Sequence, residues 1–279
     1  MPLAEVTAPL SAVATRAAIG GMVAAGIAVA ALRARSLSPS GAVAAVITGI
    51  VCSAAGTSWA AMLIAFFVSS TALGRIRADV RARRIGAIVA KGGPRDARQV
   101  LANGGVFAAA ALGHLMHPST IWLAIGGGAL AAAAADTWAT EIGSLASQTP
   151  RDIVRWHPVA PGTSGGVTAV GTIASAAGGL FVGAMAALAG WPSPAVIATV
   201  GGGIAGALAD SILGAAVQVR RWCDRCDSRT EQPVHLCGTD TRISGGVAWI
   251  DNDTVNLISV LVGGATALIL LAALAPHLV

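Results

Sequence analysis

The sequence contains few charged and few aromatic residues. Only 11% of its 279 residues are charged and 4% are aromatic, with no tyrosine and four phenylalanines. An ordinary soluble domain has about a quarter of its residues charged. The deficit excludes a soluble globular domain, and with it a soluble nucleic-acid-binding protein, despite the net charge of +5. The first apolar segment has no basic residues before it and follows Glu5, so a cleaved secretory signal is not expected.

Apolar and small residues dominate instead. The chain is 55% hydrophobic and contains 35 glycines, a composition typical of membrane helices that pack closely through small residues. A spanning helix needs about 20 apolar residues. The sequence predicts an all-α, polytopic membrane protein that forms a single transmembrane domain over residues 1–279. Eight stretches qualify as spans, at roughly 10–32, 40–56, 57–74, 99–116, 119–146, 164–190, 194–218 and 253–276.

The basic residues are distributed asymmetrically. Of the 18 lysines and arginines, all but Arg16 follow the first, third, fifth or seventh span. With eight spans these four loops lie on one side of the membrane. The positive-inside rule makes that side cytoplasmic and puts both termini outside, as in a bacterial-type inner membrane. The two main loops are 75–98, which is strongly basic, and 219–252. Their arginines serve as topology signals or recruit an anionic substrate.

Two aspartates and two Ser-Gly-Gly segments form an internal repeat. Asp136 and Asp210 each lie on a span that descends to the basic side, and a Ser-Gly-Gly segment after each of them opens the chain's return across the membrane. The pattern predicts parallel helical hairpins, with a fainter third copy at Ser40. A serine and two glycines at a helix start would present free backbone N–H groups to phosphate. The alternative is that the glycines only permit close helix packing. Asn103, at the head of the fourth span, is a further candidate. The other candidate phosphate-binding residues are Thr163, Ser164, Gly165, Gly166, Ser244, Gly245 and Gly246.

Acidic residues occur inside or beside the apolar segments. An ionised carboxylate is costly there unless it has a partner. Asp136, Glu141 and Asp210 lie in spans, and Asp251 and Asp253 precede the last one. Asp136 and Glu141 are separated by about 140° on an ideal helix, so they share a site only if the helix is irregular. Carboxylates near phosphate favour Mg²⁺. The alternatives are ion pairs with the loop arginines, helix caps, or a proton or cation relay.

Three of the four cysteines occur in the loop 219–252. Cys223 and Cys226 are followed by His235 and Cys237, and disulfides are rare in a reducing compartment. Three thiolates and an imidazole are a suitable tetrahedral ligand set for structural Zn²⁺, which makes this loop a candidate zinc clasp. Free or redox-active thiols are the alternative. Cys52 is expected to pack inside the second span.

Four runs together resemble a known family. They are DTWATEIG from Asp136, PGTSGGV from Pro161, the Cys-x-x-Cys loop that ends in HLCG from His235, and GGVAWIDNDTVN from Gly245. They resemble the integral-membrane family that includes plant phytyl-phosphate kinase and human transmembrane protein 19. The resemblance extends over roughly residues 38–275.

This resemblance implies a kinase. The expected reaction transfers a phosphoryl group from a nucleoside triphosphate, CTP being expected, to a prenyl monophosphate of the phytyl or geranylgeranyl type. Partners are then the nucleotide, the prenyl phosphate and membrane lipids, without nucleic acid. Taken with the residue patterns, Asp136, Asp210, Asp251 and Asp253 are expected to hold Mg²⁺, the Ser164 and Ser244 loops to bind phosphate, and Glu141, Arg98 and Arg242 to complete the catalytic set. A transporter of a phosphorylated or anionic lipid or small solute is the main alternative, and a non-catalytic scaffold is the third.

Overall fold

The computed structural model describes residues 9–89 and 93–278; Lys91 of the predicted basic loop lies outside them. Eight of the helices in these ranges correspond to the eight predicted spans, and a short helix, α4, lies in the basic loop. Seven are long and apolar enough to cross a membrane, and α2 is a shorter apolar helix. The predicted helical membrane fold is therefore confirmed. The helices are α1 (Leu10–Arg33), α2 (Pro39–Ala55), α3 (Thr57–Arg75), α4 (Ala78–Ile85), α5 (Ala97–Met116), α6 (Thr120–Gly143), α7 (Ala169–Leu188), α8 (Ser193–Ala216) and α9 (Asn252–Leu274).

The two ends of the bundle have very different connections. At one end, Gly56 alone joins α2 to α3, and residues 117–119 and 189–192 make the other two turns. The φ of Gly56 is 153°, a conformation that favours glycine. At the other end, called the basic end below, lie the long connections 34–38, 76–96, 144–168 and 217–251. Most of the polar surface of the protein is therefore at the basic end.

Two small antiparallel sheets occupy the basic end and were not predicted. Strands β1 (Arg151–Asp152) and β2 (Gly166–Val167) form one hairpin. The second sheet contains β3 (Arg220–Cys223), β4 (Ser228–Thr230) and β5 (Arg242–Gly245). Its strand order is β4-β3-β5. These strands shorten the predicted spans, because α6 ends at Gly143, α7 begins at Ala169 and α8 ends at Ala216.

Helix α6 lies at the centre of the bundle and packs against α3, α5, α7, α8 and α9. Its residues Ala129–Ala135 are almost completely inaccessible to solvent. Gly128 lies against Gly202 of α8 and Gly263 of α9, and a Cβ atom on Gly128 would lie 2.5 Å from the Gly263 carbonyl oxygen. Small residues thus allow the backbones of three helices to meet, as the composition predicts.

The Ser-Gly-Gly segments do not begin helices, contrary to the sequence prediction. Helix α7 is capped by the Thr168 hydroxyl, which accepts from Gly171 N–H, and α9 is capped by Asp251. Gly165 and Gly246 have φ angles of 77° and 75°, so the chain turns at these glycines instead of entering a helix. Gly165 also lies against Ala215 and Gly246 against Gln218. Both glycines therefore allow the chain to pack closely against its neighbours at these turns.

Candidate functional site

A large charged cavity opens at the basic end. Its volume is about 960 Å³, and it lies where α3, α4, α6 and α8 approach the loop 161–168. The lining combines both signs of charge. Its acidic residues are Asp136, Glu141, Asp210 and Glu231, and its arginines are Arg35, Arg75, Arg81, Arg84 and Arg95. A cavity of this kind is able to accommodate polyanions and a cation together.

Asp136 and Asp210 meet inside the bundle. Because α6 packs against α8, their carboxyl groups lie within hydrogen-bonding distance of each other. The Asn256 amide of α9, oriented so that its nitrogen faces acceptors, donates to Asp210 Oδ2 at 3.2 Å. The two repeated aspartates therefore form one site, as the internal repeat predicts. Two adjacent carboxylates repel each other when both are ionised, and a divalent cation or a shared proton relieves that repulsion.

Glu141 contributes a second charged group to the same cavity. Its Oε2 lies 3.0 Å from Arg81 Nη1, and both side chains are largely buried. The other terminal nitrogen of Arg81 donates to the Gly74 carbonyl of α3. Burial lowers the pKa of Arg95 from its ordinary value, and the nearby Glu141 charge opposes that shift. Helix α6 is continuous, yet the cavity is wide enough to include both Asp136 and Glu141. The two acids therefore line one cavity without the helix irregularity that the sequence analysis requires.

The loop Thr163–Gly166 lines the cavity, as does Asn103 of α5. The Ser164 hydroxyl donates to Glu231 Oε1 at 2.5 Å, which joins this loop to the cysteine-containing loop. Asn103 donates from Nδ2 to Gln99 O of its own helix. The predicted phosphate-binding residues of the first repeat thus surround the same space as the aspartates.

The second repeat contributes less than predicted. Ser244 and Gly245 lie in β5, Gly246 makes the following turn, and these three residues are not part of the cavity lining. Arg242 pairs with Asp224 on the exposed surface, where Arg242 Nε lies 2.9 Å from Asp224 Oδ1. The structure therefore does not bring these four predicted residues to the site.

Arg98, Asp251 and Asp253 form a separate ion-pair cluster that does not line the cavity. Arg98 Nη2 lies 3.1 Å from Asp251 Oδ2, and Asp253 is the more deeply buried of the two acids. Partial burial raises the pKa of Asp251, but hydrogen bonds from Thr254 and the Arg98 charge outweigh it and hold the pKa below its usual range. The cluster caps α9 and ties it to α5, which matches the alternative of ion pairs and helix caps.

Several lining residues were not assigned to the site from the sequence. Three of them are arginines of the basic loop: Arg81, Arg84 and Arg95. The large number of basic residues in this loop predicts the membrane topology, but it does not predict which arginines face the cavity. Glu231 follows Ser164 by 67 residues, and no pattern in the sequence relates the two. Asn256 was visible as one turn beyond the Asp251–Asp253 cluster, but its contact with Asp210 depends on how α8 and α9 pack.

An apolar groove adjoins the charged cavity. It has a volume of about 500 Å³ and is lined by α1, α2, α3 and α5, with Val23, Ile27 and Ile64 among its side chains. Its far end lies at Arg16 and Thr57. At its near end the groove and the cavity share the residues Arg95, Gln99, Asn103 and Thr137. A charged compartment and an apolar one therefore lie side by side, with these four residues between them.

The four predicted zinc ligands come together outside the membrane helices. The ligand atoms of Cys223, Cys226, His235 and Cys237 all lie within 4.8 Å of one another. Hydrogen bonds with Thr239 and His235 lower the pKa of Cys237 to about 5. Cys52 is separate from this group and buried in α2, as expected.

The apolar helices and the charged cavity at one end of the bundle define a polytopic helical membrane protein. Comparison with known families agrees. The chain belongs to the family described as integral membrane protein DUF92, whose model matches residues 22–264.

Two relatives illustrate the similarity. The chain is 31% identical over 255 residues to Protein PGR of Arabidopsis thaliana. The aligned region covers 81% of this chain and 86% of that protein. It is 32% identical over 135 residues to an uncharacterized membrane protein of Methanocaldococcus jannaschii, covering 48% and 45% of the two chains. No solved structure matches significantly. The resemblance to an integral-membrane family with a plant member is confirmed.

Proposed function

We propose that the protein is a membrane-embedded prenyl-monophosphate kinase that transfers a phosphoryl group from a nucleoside triphosphate, with CTP as the expected donor. The observation that carries the proposal is that the charged cavity adjoins the apolar groove and shares four lining residues with it. A substrate with an anionic head and a single long apolar chain matches both compartments. The motif resemblance supports the reaction class, and the charged cavity beside the apolar groove supports binding of such a substrate.

The cavity residues suit two phosphorylated reactants. Arg81, Arg84 and Arg95 are the arginines that would bind phosphate oxygens, and Arg81 is positioned by Glu141. The Thr163–Gly166 loop offers a hydroxyl and glycines that permit close approach of a phosphate to the backbone. Bringing two anions together requires that their charge be neutralised and that water be excluded.

Asp136 and Asp210 are the residues that would hold Mg²⁺. Their adjacent carboxylates, beside the Asn256 amide, are the oxygen donors that this ion prefers. Bound there, Mg²⁺ would neutralise charge on the nucleotide phosphates. An oxygen of the prenyl monophosphate attacks the γ-phosphorus, a new P–O bond forms, and the bond to the β-phosphate oxygen breaks. The attacking oxygen is already ionised, so no strong general base is required.

The groove sets an expected chain length. From Arg16 to Ile27, α1 advances about 16 Å at ~1.5 Å per residue. An extended carbon chain advances roughly 1.3 Å per bond, given bonds of ~1.5 Å. The groove therefore matches roughly three to four isoprene units. Chains much shorter than this would leave apolar surface unfilled, and much longer ones would extend into the bilayer.

The decisive experiment measures phosphorylation of prenyl monophosphates by the purified protein with labelled CTP and Mg²⁺. We expect diphosphate to form, with the best ratio of kcat to KM at three to four isoprene units. Val23→Trp should raise KM for the long substrate about tenfold because the indole fills the groove. Val29→Trp is the matched control, since Val29 is 46% exposed against 47% for Val23, on the same helix but outside the groove. Absence of diphosphate with every nucleotide tested would contradict the proposal.

A transporter is the second candidate function, favoured by the contact between Asp136 and Asp210, since paired carboxylates also occur in proton relays. The same preparation reconstituted in vesicles distinguishes the two. A transporter would move a labelled prenyl phosphate or other anion across the bilayer without consuming nucleotide. The kinase would consume CTP in detergent, where no transport is measurable.

The proposed orientation puts the basic end in the cytoplasm and both termini outside. It predicts that a cysteine introduced at His117 reacts with a membrane-impermeant maleimide in intact cells. A cysteine introduced at Ser147 should react only after permeabilisation, because it lies at the basic end. Peptide mass mapping separates these labels from those on native cysteines. The reversed labelling pattern would invert the assignment and put the cavity outside.

A further inference from the structure

We infer that the four side chains Cys223, Cys226, His235 and Cys237 bind one structural zinc ion that holds a wall of the charged cavity in place. The inference is independent of the reaction proposed above. It rests on the convergence of two separate arms of the loop and on the contacts that this loop makes with the rest of the protein.

The donor atoms come from two turns that face each other. Cys223 ends β3 and Cys226 lies in the turn before β4, whereas His235 and Cys237 come from the turn that precedes β5. Cys223 Sγ lies 3.6 Å from Cys237 Sγ, and His235 Nδ1 lies 3.3 Å from the same sulfur. Zn–S bonds of about 2.3 Å and Zn–N bonds of about 2.0 Å in a tetrahedron require separations close to these.

The histidine provides a second observation. His235 is buried, and its Nδ1 atom lies against the Cys237 sulfur, so this nitrogen is in place to act as the fourth donor. Three sulfurs and an imidazole in one small group also have little reason to converge for hydrophobic packing, since Cys226 is exposed. A tetrahedral ion uses all four donors at once.

The loop between the two arms docks onto the segment that follows α4. The Thr230 hydroxyl donates to Ala87 O at 2.8 Å, and Glu231 N–H donates to Ile88 O at 2.8 Å. Gln232 Nε2 donates to Gly86 O at 2.8 Å. Both anchors of this docked segment are zinc ligands, Cys226 before it and His235 after it. The ion therefore fixes the position of Glu231, which lines the cavity and accepts from Ser164.

The first test is metal content. The full-length protein, purified in detergent with reductant and without chelator, is expected to contain close to one zinc per chain. Co²⁺ exchanged into the site should give the intense thiolate charge-transfer and d–d bands of a tetrahedral site. Cys226→Ser should lose most of the metal, and Cys52→Ser, the control, should keep it. Zinc-free wild type, or equal loss in both variants, would overturn the site.

The second test addresses the wall of the cavity. Hydrogen exchange is compared before and after zinc is removed by a chelator, with the β1–β2 hairpin segment 151–158 as the reference. We expect exchange to accelerate about tenfold or more in peptides covering both 228–232 and 86–89, with the reference unchanged. If exchange accelerates only within 223–241, the metal stabilises its own loop and the clasp role is wrong. The readout does not depend on kinase activity.

Discussion

Replacing Asp136 or Asp210 by asparagine is expected to lower the proposed prenyl-monophosphate kinase activity roughly a hundredfold or more, equivalent to about 3 kcal/mol of transition-state stabilisation. Each change removes a carboxylate proposed to hold Mg²⁺. The fold should remain, because an amide has the same shape, is cheaper to bury than a carboxylate, and is able to donate a hydrogen bond to the remaining aspartate. The measurement is CTP-dependent phosphorylation and melting temperature on the same preparations.

Asp251→Asn is the matched control for these variants. Asp251 caps α9 and pairs with Arg98 outside the cavity, and asparagine is also a good helix cap. Its activity should stay within a few-fold of wild type. A hundredfold loss of activity in Asp251→Asn would instead support the expectation from the sequence that Asp251 holds Mg²⁺. Variants of Asp136 and Asp210 that melt like wild type and keep most activity would remove both residues from the mechanism.

Gly128→Ala is expected to destabilise the helix bundle strongly. The new methyl would lie 2.5 Å from the Gly263 carbonyl oxygen and 2.5 Å from the Ala267 Cβ atom, so two helix backbones would have to separate. Overpacking of a tight core costs about 1–3 kcal/mol, and contact with backbone puts this case at the upper end. Thermal unfolding in detergent, followed by tryptophan fluorescence, should show a clearly lower melting temperature.

Gly26→Ala is the control for that variant. Gly26 is in the middle of α1, and a Cβ atom there would have no neighbour within 4 Å. Alanine is favoured over glycine in a helix interior by about 1 kcal/mol, so this variant should be as stable as wild type or slightly more so. Equal destabilisation by both substitutions would mean that loss of helix flexibility, and not the three-helix contact, determines the effect.

The spans were predictable because each is a long apolar run, and a bilayer requires length above all else. The small strands were not predictable, because two to four residues between turns show no periodicity. The helix starts were misplaced for a specific reason. Ser164-Gly165-Gly166 fits a helix N-terminus as well as it fits a turn, and only the observed φ of Gly165 distinguishes them. Thr168 and Asp251, which do cap α7 and α9, are also ordinary capping residue types.

The part of the candidate site that was predictable is the pair of repeated aspartates. Asp136 and Asp210 occupy equivalent positions in two hairpins, and their contact follows from packing the hairpins side by side. Asp251 was assigned to the metal because it is acidic and lies near the basic end, but its hydrogen bond to Thr254 N–H is that of a cap. Glu231 and the inward-facing arginines depend on loop docking, which no local pattern encodes.

The apolar groove has a consequence for how the reactants meet. It is lined by α1 and α3, and α1 packs mainly against α2, so the proposed prenyl substrate would enter sideways from the bilayer without its chain crossing water. Exposing the chain would cost about 0.8 kcal/mol per CH₂, which makes release into the aqueous phase prohibitive. Turnover should therefore follow the mole fraction of prenyl phosphate in the membrane, not its bulk concentration. The diphosphate product should return to the same leaflet, where a second membrane enzyme would receive it by two-dimensional diffusion.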